Sequence, residues 1–197
     1  MNFPAPLTMY ASPKILIYKN ALSQNISEHI IRKYSLKLNQ SAVTDGTKIL
    51  SSKFRTSSSS FLNDDDINIS TLRDSVCRLY GFNKKNSENF QYAKYEVGQE
   101  YAPHYDAFDV DEINKHGHNK QRVITNIIYL NDEFTGGETY FPQLDISIKP
   151  EAGMMISFEN CMAETTYLNP FSLHQSKPIL SGEKHILTLW LLKDLIH

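Results

Sequence analysis

The chain has 197 residues, of which 41% are hydrophobic and 21% charged, and its formal net charge is −2. This length accommodates one domain with a sizeable core, so we expect residues 1–197 to form a single domain. The composition argues against long disordered stretches, and the small negative charge offers no general attraction for nucleic acid, which we do not expect as a partner.

The N-terminal segment and the cysteines bear on where the protein works. Residues 1–18 lack a basic region followed by a long apolar run, so they do not resemble a signal peptide. No stretch approaches the roughly eighteen apolar residues of a membrane span. Cys77 and Cys161 are too few for a disulfide framework. We therefore expect a cytoplasmic protein with reduced cysteines and no membrane contact.

The first part of the chain, residues 1–89, is expected to be rich in helices. Residues 14–19 form a short apolar run typical of a strand. Residues 20–38 carry apolar side chains at helical spacing and begin near a capping Ser23 or Ser27. The pattern predicts a strand followed by an amphipathic helix.

Residues 51–62 contain four consecutive serines and allow two interpretations. They form either a low-complexity linker or a folded segment in which the flanking Phe54 and Phe61 are anchors. Three aspartates then supply negative charge at the start of a second apolar helical stripe, which ends before Gly81: Asp64, Asp65 and Asp66.

From residue 90 the sequence changes to short alternating runs broken by Gly, Pro and Asn. Many short strands at close spacing indicate a sandwich or jelly roll, not a parallel α/β sheet. We therefore predict an α+β fold, with a double-stranded β-helix (jelly-roll) catalytic core at residues 90–197 and N-terminal supporting helices.

Three residues form a candidate metal site. His104 and Asp106 make an H-x-D motif, and residues two apart in an extended segment project from the same face. His174 lies in a second candidate strand and completes the set if the two strands face each other. Two histidines and one carboxylate leave three positions open on an octahedral ion, as in Fe(II) oxygenases. Because H-x-D also occurs by chance, a surface or core role for these residues stays open.

A second histidine pair, His116 and His118, lies in the polar segment 108–121. The pair belongs either to a rival metal site or to a polar loop over the mouth of the active site. The composition favours the loop, and we interpret residues 108–121 as a candidate lid over the substrate.

The last strand, at residues 182–192, points to an anionic ligand. Period-two alternation places one polar set on a single face: Lys184, Ile186, Thr188 and Trp190. Burying an unpaired ammonium is costly, so an inward Lys184 requires a partner such as a carboxylate. The alternative is a solvated lysine at the frayed start of the strand. Alternation in residues 122–130 similarly offers the Tyr129 hydroxyl to the same carboxylate.

The chain resembles the catalytic domain of the prolyl 4-hydroxylases, within the 2-oxoglutarate and Fe(II)-dependent dioxygenases. The matching segments, in the family's order, are YEVGQEYAPHYDAF, RVITNIIYLND, GGETYFP, IKPEAGMMISFEN and LHQSKPILSGEKHILTLWL. The spacing also agrees, including the step of ten residues from His174 to Lys184. SSKFRTSSSSFL and SPKILIYKNALS resemble the family's N-terminal half, so the resemblance covers nearly the whole chain.

The resemblance implies a role for each site residue. His104, Asp106 and His174 bind Fe(II), and Lys184 binds the C5 carboxylate of 2-oxoglutarate. Residues that line or hydrogen-bond the co-substrate are Tyr95, Tyr129 and Thr188. Catalytic positions nearer the substrate are Tyr101, Arg122 and Trp190. For the last three residues, a purely structural role in an aromatic or β-strand core is the alternative.

The resemblance implies a dioxygenase of the procollagen-proline 4-dioxygenase type that hydroxylates a proline-containing peptide or protein, with ascorbate as a candidate reductant. The same chemistry on another residue or a free amino acid stays open. A different class also stays open: a non-oxygenase jelly-roll metal-binding protein or a zinc hydrolase. Lys184 favours the oxygenase, because a simple metal module needs no carboxylate anchor. The sequence indicates no oligomeric state.

One residue departs from this resemblance, and one motif within it is given a structural role. His185 follows Lys184 where many family members have tryptophan, and alternation places it on the core side of the strand. The GGET motif at residues 136–139 is interpreted as a tight turn, since paired glycines permit positive φ, and it need not touch the chemistry.

Overall fold

The computed structural model describes residues 1–40, 42–44, 49–51 and 55–195. Over these residues the α-helices are α1 (Gln24–Tyr34), α2 (Ile67–Leu79) and α3 (Val110–His116). The strands are β1 (Leu7–Ala11), β2 (Lys14–Tyr18), β3 (Asn39–Gln40), β4 (Ala42–Thr44), β5 (Ile49–Ser51), β6 (Ser58–Phe61), β7 (Gln91–Tyr95), β8 (Tyr101–His104), β9 (Lys120–Tyr129), β10 (Phe134–Gly136), β11 (Thr139–Phe141), β12 (Ile146–Ile148), β13 (Met155–Glu159), β14 (His174–Ser176), β15 (Ile179–Gly182) and β16 (Lys184–Asp194). Each of these helices is too short or too polar to span a bilayer.

Two antiparallel sheets form the centre of the molecule. The large sheet has the order β1-β2-β13-β9-β16-β7-β6-β3, and the small sheet has the order β12-β11-β14-β8. Apolar side chains from both sheets pack into one buried cluster, and the helices α1 and α2 cover the opposite face of the large sheet. This arrangement confirms the predicted α+β jelly roll with supporting helices.

The central strands β9 and β16 separate the two apolar layers by simple alternation. Leu187, Leu189 and Leu191 of β16 are fully buried on the helix side. Ile186 of the same strand packs instead into the cluster between the two sheets. Since successive side chains of a strand point to opposite faces, this one segment contributes to both layers.

The N-terminal part contributes strands to the large sheet as well as the two expected helices. β1 and β2 extend it next to β13, and β6 extends it next to β7. The linker interpretation is therefore wrong for Ser58–Phe61, which forms β6. Phe54 lies outside the described residues. Helix α1 is shorter than residues 20–38, and Ser23 occupies its N-cap position without a side-chain capping bond.

Asp66 joins the two N-terminal helices through a buried carboxylate. Its Oδ2 accepts a hydrogen bond from Lys33 Nζ (2.6 Å), lies 2.9 Å from His29 Nε2 and accepts one from the Tyr34 hydroxyl (3.3 Å). Its Oδ1 accepts from the Asn68 amide (2.9 Å) and so caps α2. Burial alone would raise the pKa of Asp66, but the bonds from Lys33, His29 and Asn68 hold it well below its usual range.

We predict that Asp66→Asn lowers the free energy of unfolding at pH 7 by about 1–2 kcal/mol, because an amide cannot replace the carboxylate in these bonds. Because the pKa of Asp66 is depressed in the folded state, its carboxylate stabilises the fold at pH values above the ordinary carboxyl pKa. That stabilisation is lost as the pH falls below this range. The deficit, measured by urea unfolding, should therefore shrink below pH 4. The neighbouring exposed Asp65→Asn should have no such effect, and an equal deficit at every pH would contradict this explanation.

Candidate active site

Backbone pairing brings the three predicted metal ligands together. β14 runs antiparallel to β8, and His174 is the register partner of His104. Asp106 lies two residues after the end of β8, and its carboxylate oxygens lie 3.6 Å from His104 Nε2 and 3.6 Å from His174 Nε2. One ligand atom from each of the three residues lies within 4.8 Å of the others. Within the described ranges, no other group of three such side chains comes together in this way.

Both imidazoles are oriented by hydrogen bonds from their outer nitrogens. Nδ1 of His104 lies 2.8 Å from the Ala102 carbonyl oxygen, and Nδ1 of His174 lies 3.0 Å from the Ser172 carbonyl oxygen. A carbonyl only accepts, so each Nδ1 carries the proton and each Nε2 keeps its lone pair for a metal. Burial also lowers the pKa of His174 to about 4, which keeps this ring neutral.

The carboxylate of Asp106 is held by a short hydrogen-bonded chain. The Thr125 hydroxyl donates to Asp106 Oδ2 (2.7 Å), and Asn160 Nδ2 donates to the Thr125 oxygen (2.8 Å). Burial opposes ionisation of Asp106, but His174 and His104 lower its pKa well below the usual range. A fixed carboxylate and two imidazoles form the donor set of a facial Fe(II) site, so these residues fit that metal.

We predict that Thr125→Val weakens metal binding by about 10- to 100-fold, since supporting hydrogen bonds of this kind orient the ligand and set its basicity. Anaerobic calorimetric titration with Fe(II), or with Mn(II) as a stable substitute, measures the change. Thr165→Val, at a half-buried threonine outside the site whose hydroxyl also makes hydrogen bonds, is the matched control. Unchanged affinity in Thr125→Val would show that Asp106 needs no such support.

Lys184 is a buried cation at the far end of the same cavity. Its Nζ donates to the Gly137 carbonyl (2.6 Å) and to the Ser176 hydroxyl (2.8 Å). The rings of Tyr95 and Tyr129 lie 5.2 and 5.6 Å from Nζ. Among the described residues no carboxylate lies within ion-pair distance of this ammonium. Burial therefore lowers the pKa of Lys184 to about 7, and the longer-range effect of Glu138 opposes this only in part.

One cavity of about 460 Å³ is lined by nearly all the residues that were predicted from the sequence to form the active site. Its walls include the metal ligands and Lys184, together with Tyr95, Tyr101, Arg122, Thr188 and Trp190. Tyr129 lies behind the wall, where its hydroxyl is 2.6 Å from the hydroxyl of Thr139, a residue that does line the cavity. The alternation predicted for β16 agrees with this arrangement.

The side of the cavity away from Lys184 is built around a stacked arginine. The guanidinium of Arg122 lies 4.2 Å from the ring centroid of Trp190 and 4.9 Å from that of Phe108. Glu88 accepts two hydrogen bonds from it, at 2.5 and 3.0 Å. The charge of Arg122 is therefore paired, and its planar group is held as part of the wall.

Several residues of the site were not selected from the sequence. Thr139 and Gly137 belong to the GGET turn, which does touch the site because Gly137 accepts the bond from Lys184. Gly137 has a φ of +69°, which strains any other residue, and a Cβ there would lie 2.5 Å from Ile179 Cδ1 and 3.1 Å from Lys184 Cδ. Ser176 shares a strand face with His174, and that spacing of two was the available signal. No sequence pattern predicted a role for Glu88, since its contact with Arg122 is formed only in the tertiary structure.

The two ends of the candidate lid, residues 108–121, are joined by the side chain of Gln121. The Gln121 amide donates to the Phe108 carbonyl (2.8 Å) and accepts from the Phe108 amide (2.8 Å). Helix α3 within the segment begins with a capping box between Asp109 and Glu112. The ring of His118 stacks on Phe108 at 4.0 Å, an arrangement that favours the loop interpretation over a rival metal site.

His185 lies on the helix side of the large sheet and not in the cavity. Its Nδ1 is 2.8 Å from the Tyr92 hydroxyl, and both side chains are buried. Burial lowers the pKa of His185, so the ring is neutral in this packing. The histidine at this position, where many family members have tryptophan, therefore affects packing in the core and not the cavity.

We predict that affinity for 2-oxoglutarate falls as pH rises through the pKa of Lys184 at about 7. Below this pH the free protein already carries the charge that binds a carboxylate, whereas above it the neutral amine must first take up a proton. The dissociation constant should then rise about tenfold per pH unit above pH 7. Calorimetric titration in buffers of different ionisation enthalpy measures the number of protons taken up on binding.

The control for this pH dependence is Lys184→Arg, whose guanidinium stays charged throughout. This variant should bind with a flat pH profile over the same range, even if its affinity is lower. A slope that persists in Lys184→Arg would place the titrating group elsewhere in the site.

The fold, the His-Asp-His triad and the buried lysine agree with a sequence match. The profile of the 2OG-Fe(II) oxygenase superfamily matches residues 90–192, and the chain belongs to this superfamily. It is therefore a 2-oxoglutarate/Fe(II)-dependent dioxygenase, with Fe(II) as its metal and 2-oxoglutarate as its co-substrate.

Individual relatives narrow the likeness within that superfamily. The chain is 33% identical to probable prolyl 4-hydroxylase 3 of Arabidopsis thaliana, with 91% of this chain and 69% of the relative covered. It is 31% identical to prolyl 4-hydroxylase 2 of the same plant, covering 93% and 69%. The 2OG complex of the viral collagen prolyl hydroxylase from Paramecium Bursaria Chlorella virus-1 superposes with a TM-score of 0.72 at 28% identity, covering 90% and 95%.

Proposed function

We propose that the protein hydroxylates prolyl residues of a peptide or protein, as a prolyl 4-hydroxylase, using Fe(II), 2-oxoglutarate and O₂. The observation that carries the proposal is the presence of a metal triad and an uncompensated buried lysine in one cavity. The named activity of the plant and viral relatives supports the prolyl substrate. Ascorbate is proposed as the reductant that maintains the metal.

His104, Asp106 and His174 would hold the iron, which with 2-oxoglutarate supplies the oxidising power for C–H hydroxylation. Lys184 would bind the distal carboxylate by a charge-assisted hydrogen bond and so fix the orientation of the co-substrate. Tyr95, Thr188 and the Tyr129–Thr139 hydroxyl pair complete the lining of that end. The protein therefore needs no general base, because its task is to hold the reactants in register and exclude water.

The aromatic residues of the cavity support a peptide substrate. Tyr101 stacks on the His104 imidazole with ring centroids 3.5 Å apart, so an aromatic face borders the metal site directly. Arg122, which stacks with Trp190 and with Phe108 at the base of the lid, lines the same cavity as Tyr101. A flat aromatic surface suits the ring of proline, which contributes apolar area with little rotational freedom to lose.

We predict that the anaerobic protein with Fe(II) and 2-oxoglutarate shows a weak metal-to-ligand charge-transfer absorption, because the co-substrate chelates the metal. In air, with ascorbate and a proline-rich peptide, it should release succinate and increase the peptide mass by one oxygen. Absence of the absorption from the wild-type protein would contradict the oxygenase assignment. Succinate release with free L-proline but not with peptides would contradict the peptide substrate.

Two variants should separate the two halves of the site. His174→Ala removes a metal ligand, so we expect it to lose Fe(II) binding and all turnover. Lys184→Ala keeps the triad, so it should bind Fe(II) normally while the affinity for 2-oxoglutarate falls by at least about tenfold, the loss of one charged hydrogen bond. Unchanged co-substrate affinity in Lys184→Ala would refute the anchor assignment.

A further inference from the structure

Ser176 connects the metal end of the cavity to the lysine end. It lies in β14 two residues after His174, so both side chains project from the same face of the strand. In the small sheet it is the register partner of Thr139 on one side and of Tyr101 on the other. Its hydroxyl reaches Lys184 Nζ at 2.8 Å, and the residue lines the cavity while being 9% exposed.

The ammonium group of Lys184 has one N–H left to donate to a ligand. An ammonium carries three, and two of them are used by the Gly137 carbonyl and the Ser176 hydroxyl. Both acceptors are neutral, so they satisfy hydrogen-bonding capacity without cancelling the charge. The third N–H and the uncompensated charge remain for the distal carboxylate of the co-substrate.

The neighbouring hydroxyls supply two more donors. A hydroxyl that accepts from an ammonium still has its own proton to donate, and within the described part of the chain no acceptor lies in reach of the Ser176 proton. Tyr129 and Thr139 share one hydrogen bond, so whichever donates, the proton of the other is left over. A carboxylate offers about four lone-pair sites, enough for all three donors.

We propose that Ser176 is a co-substrate-binding residue whose hydroxyl accepts from Lys184 and donates to the distal carboxylate of 2-oxoglutarate. The inference rests on the proposed function and adds to it a neutral donor located between the metal ligand His174 and the lysine. Ser176 thereby contributes selectivity for a 2-oxo acid that carries a second carboxylate.

The test compares two ligands with the same metal-binding head. 2-Oxoglutarate and 2-oxopentanoate have equal chain length, but only the first carries a distal carboxylate. Each is titrated calorimetrically into the full chain loaded with Mn(II), without peptide, so the readout is binding and not turnover. Ser176→Ala should bind 2-oxoglutarate about tenfold more weakly, as for one lost bond to a charged group, and 2-oxopentanoate with unchanged affinity.

The chain offers a matched control and a rescue. Ser147 also accepts a hydrogen bond from a lysine, Lys177 Nζ at 3.4 Å, but on the exposed surface of the same small sheet. Ser147→Ala should therefore leave both affinities unchanged. Ser176→Thr retains the hydroxyl and should restore 2-oxoglutarate affinity to near the wild-type value. If Ser176→Ala does not fold, Ser176→Cys is close in volume, donates only weakly and should show the same selective loss.

Each outcome decides the assignment. An equal loss for both ligands in the folded Ser176 variants would mean that the residue only shapes the site, and would overturn the proposal. Unchanged affinity for both ligands would overturn it as well, while leaving the proposed function intact. A wild-type protein that binds no 2-oxoglutarate would instead overturn the proposed function and this inference together.

Discussion

The backbone pairing of β14 with β8 is the constraint on which the active site depends. It places His174 opposite His104, although seventy residues separate them in the sequence. The same strand continues to Ser176, which faces Lys184 at the start of β16. A shift of one residue in this register would turn His174 away from the cavity, because side chains alternate between the faces of a sheet. The proposed metal ligands and the proposed co-substrate anchor are thus held in relation to each other by a single strand.

Two buried charges in this molecule show how burial is used in opposite ways. Asp66 is surrounded by donors from two helices, so its negative charge is satisfied within the protein and serves the fold. Lys184 has only neutral acceptors, so its charge is satisfied fully only when an anion binds. Desolvation of an unpaired cation costs stability, and the apolar layers on either side of the large sheet offset that cost. The contrast separates a charge that is paired within the fold from one that is free for the proposed anionic ligand.

Much of the site could be predicted because it lies on strands with regular alternation. The inward face of β16 followed from counting every second residue, and the H-x-D motif needed only the same rule. Family resemblance supplied the pairing of distant segments, which one sequence does not reveal. Gly137 and Thr139 were not predicted, because paired glycines in a sequence indicate only a turn. In the structure the Gly137 carbonyl and the Thr139 hydroxyl reach the site. The Glu88 contact with Arg122 joins a loop to a strand thirty-four residues later, and no local pattern encodes such a contact.

The position of the first strands in the large sheet has a consequence for how the chain folds during synthesis. β2 pairs with β13, and the Lys14 amide bonds to Glu159, 145 residues further along the chain. The N-terminal hairpin therefore leaves the ribosome long before its neighbour in the sheet exists. Closing so large a loop makes folding slow, since non-local strand pairings cost chain entropy before they are rewarded. Until β13 is made, the apolar residues of β2 lack the strand beside which they are buried, and exposed apolar strands of this kind favour aggregation.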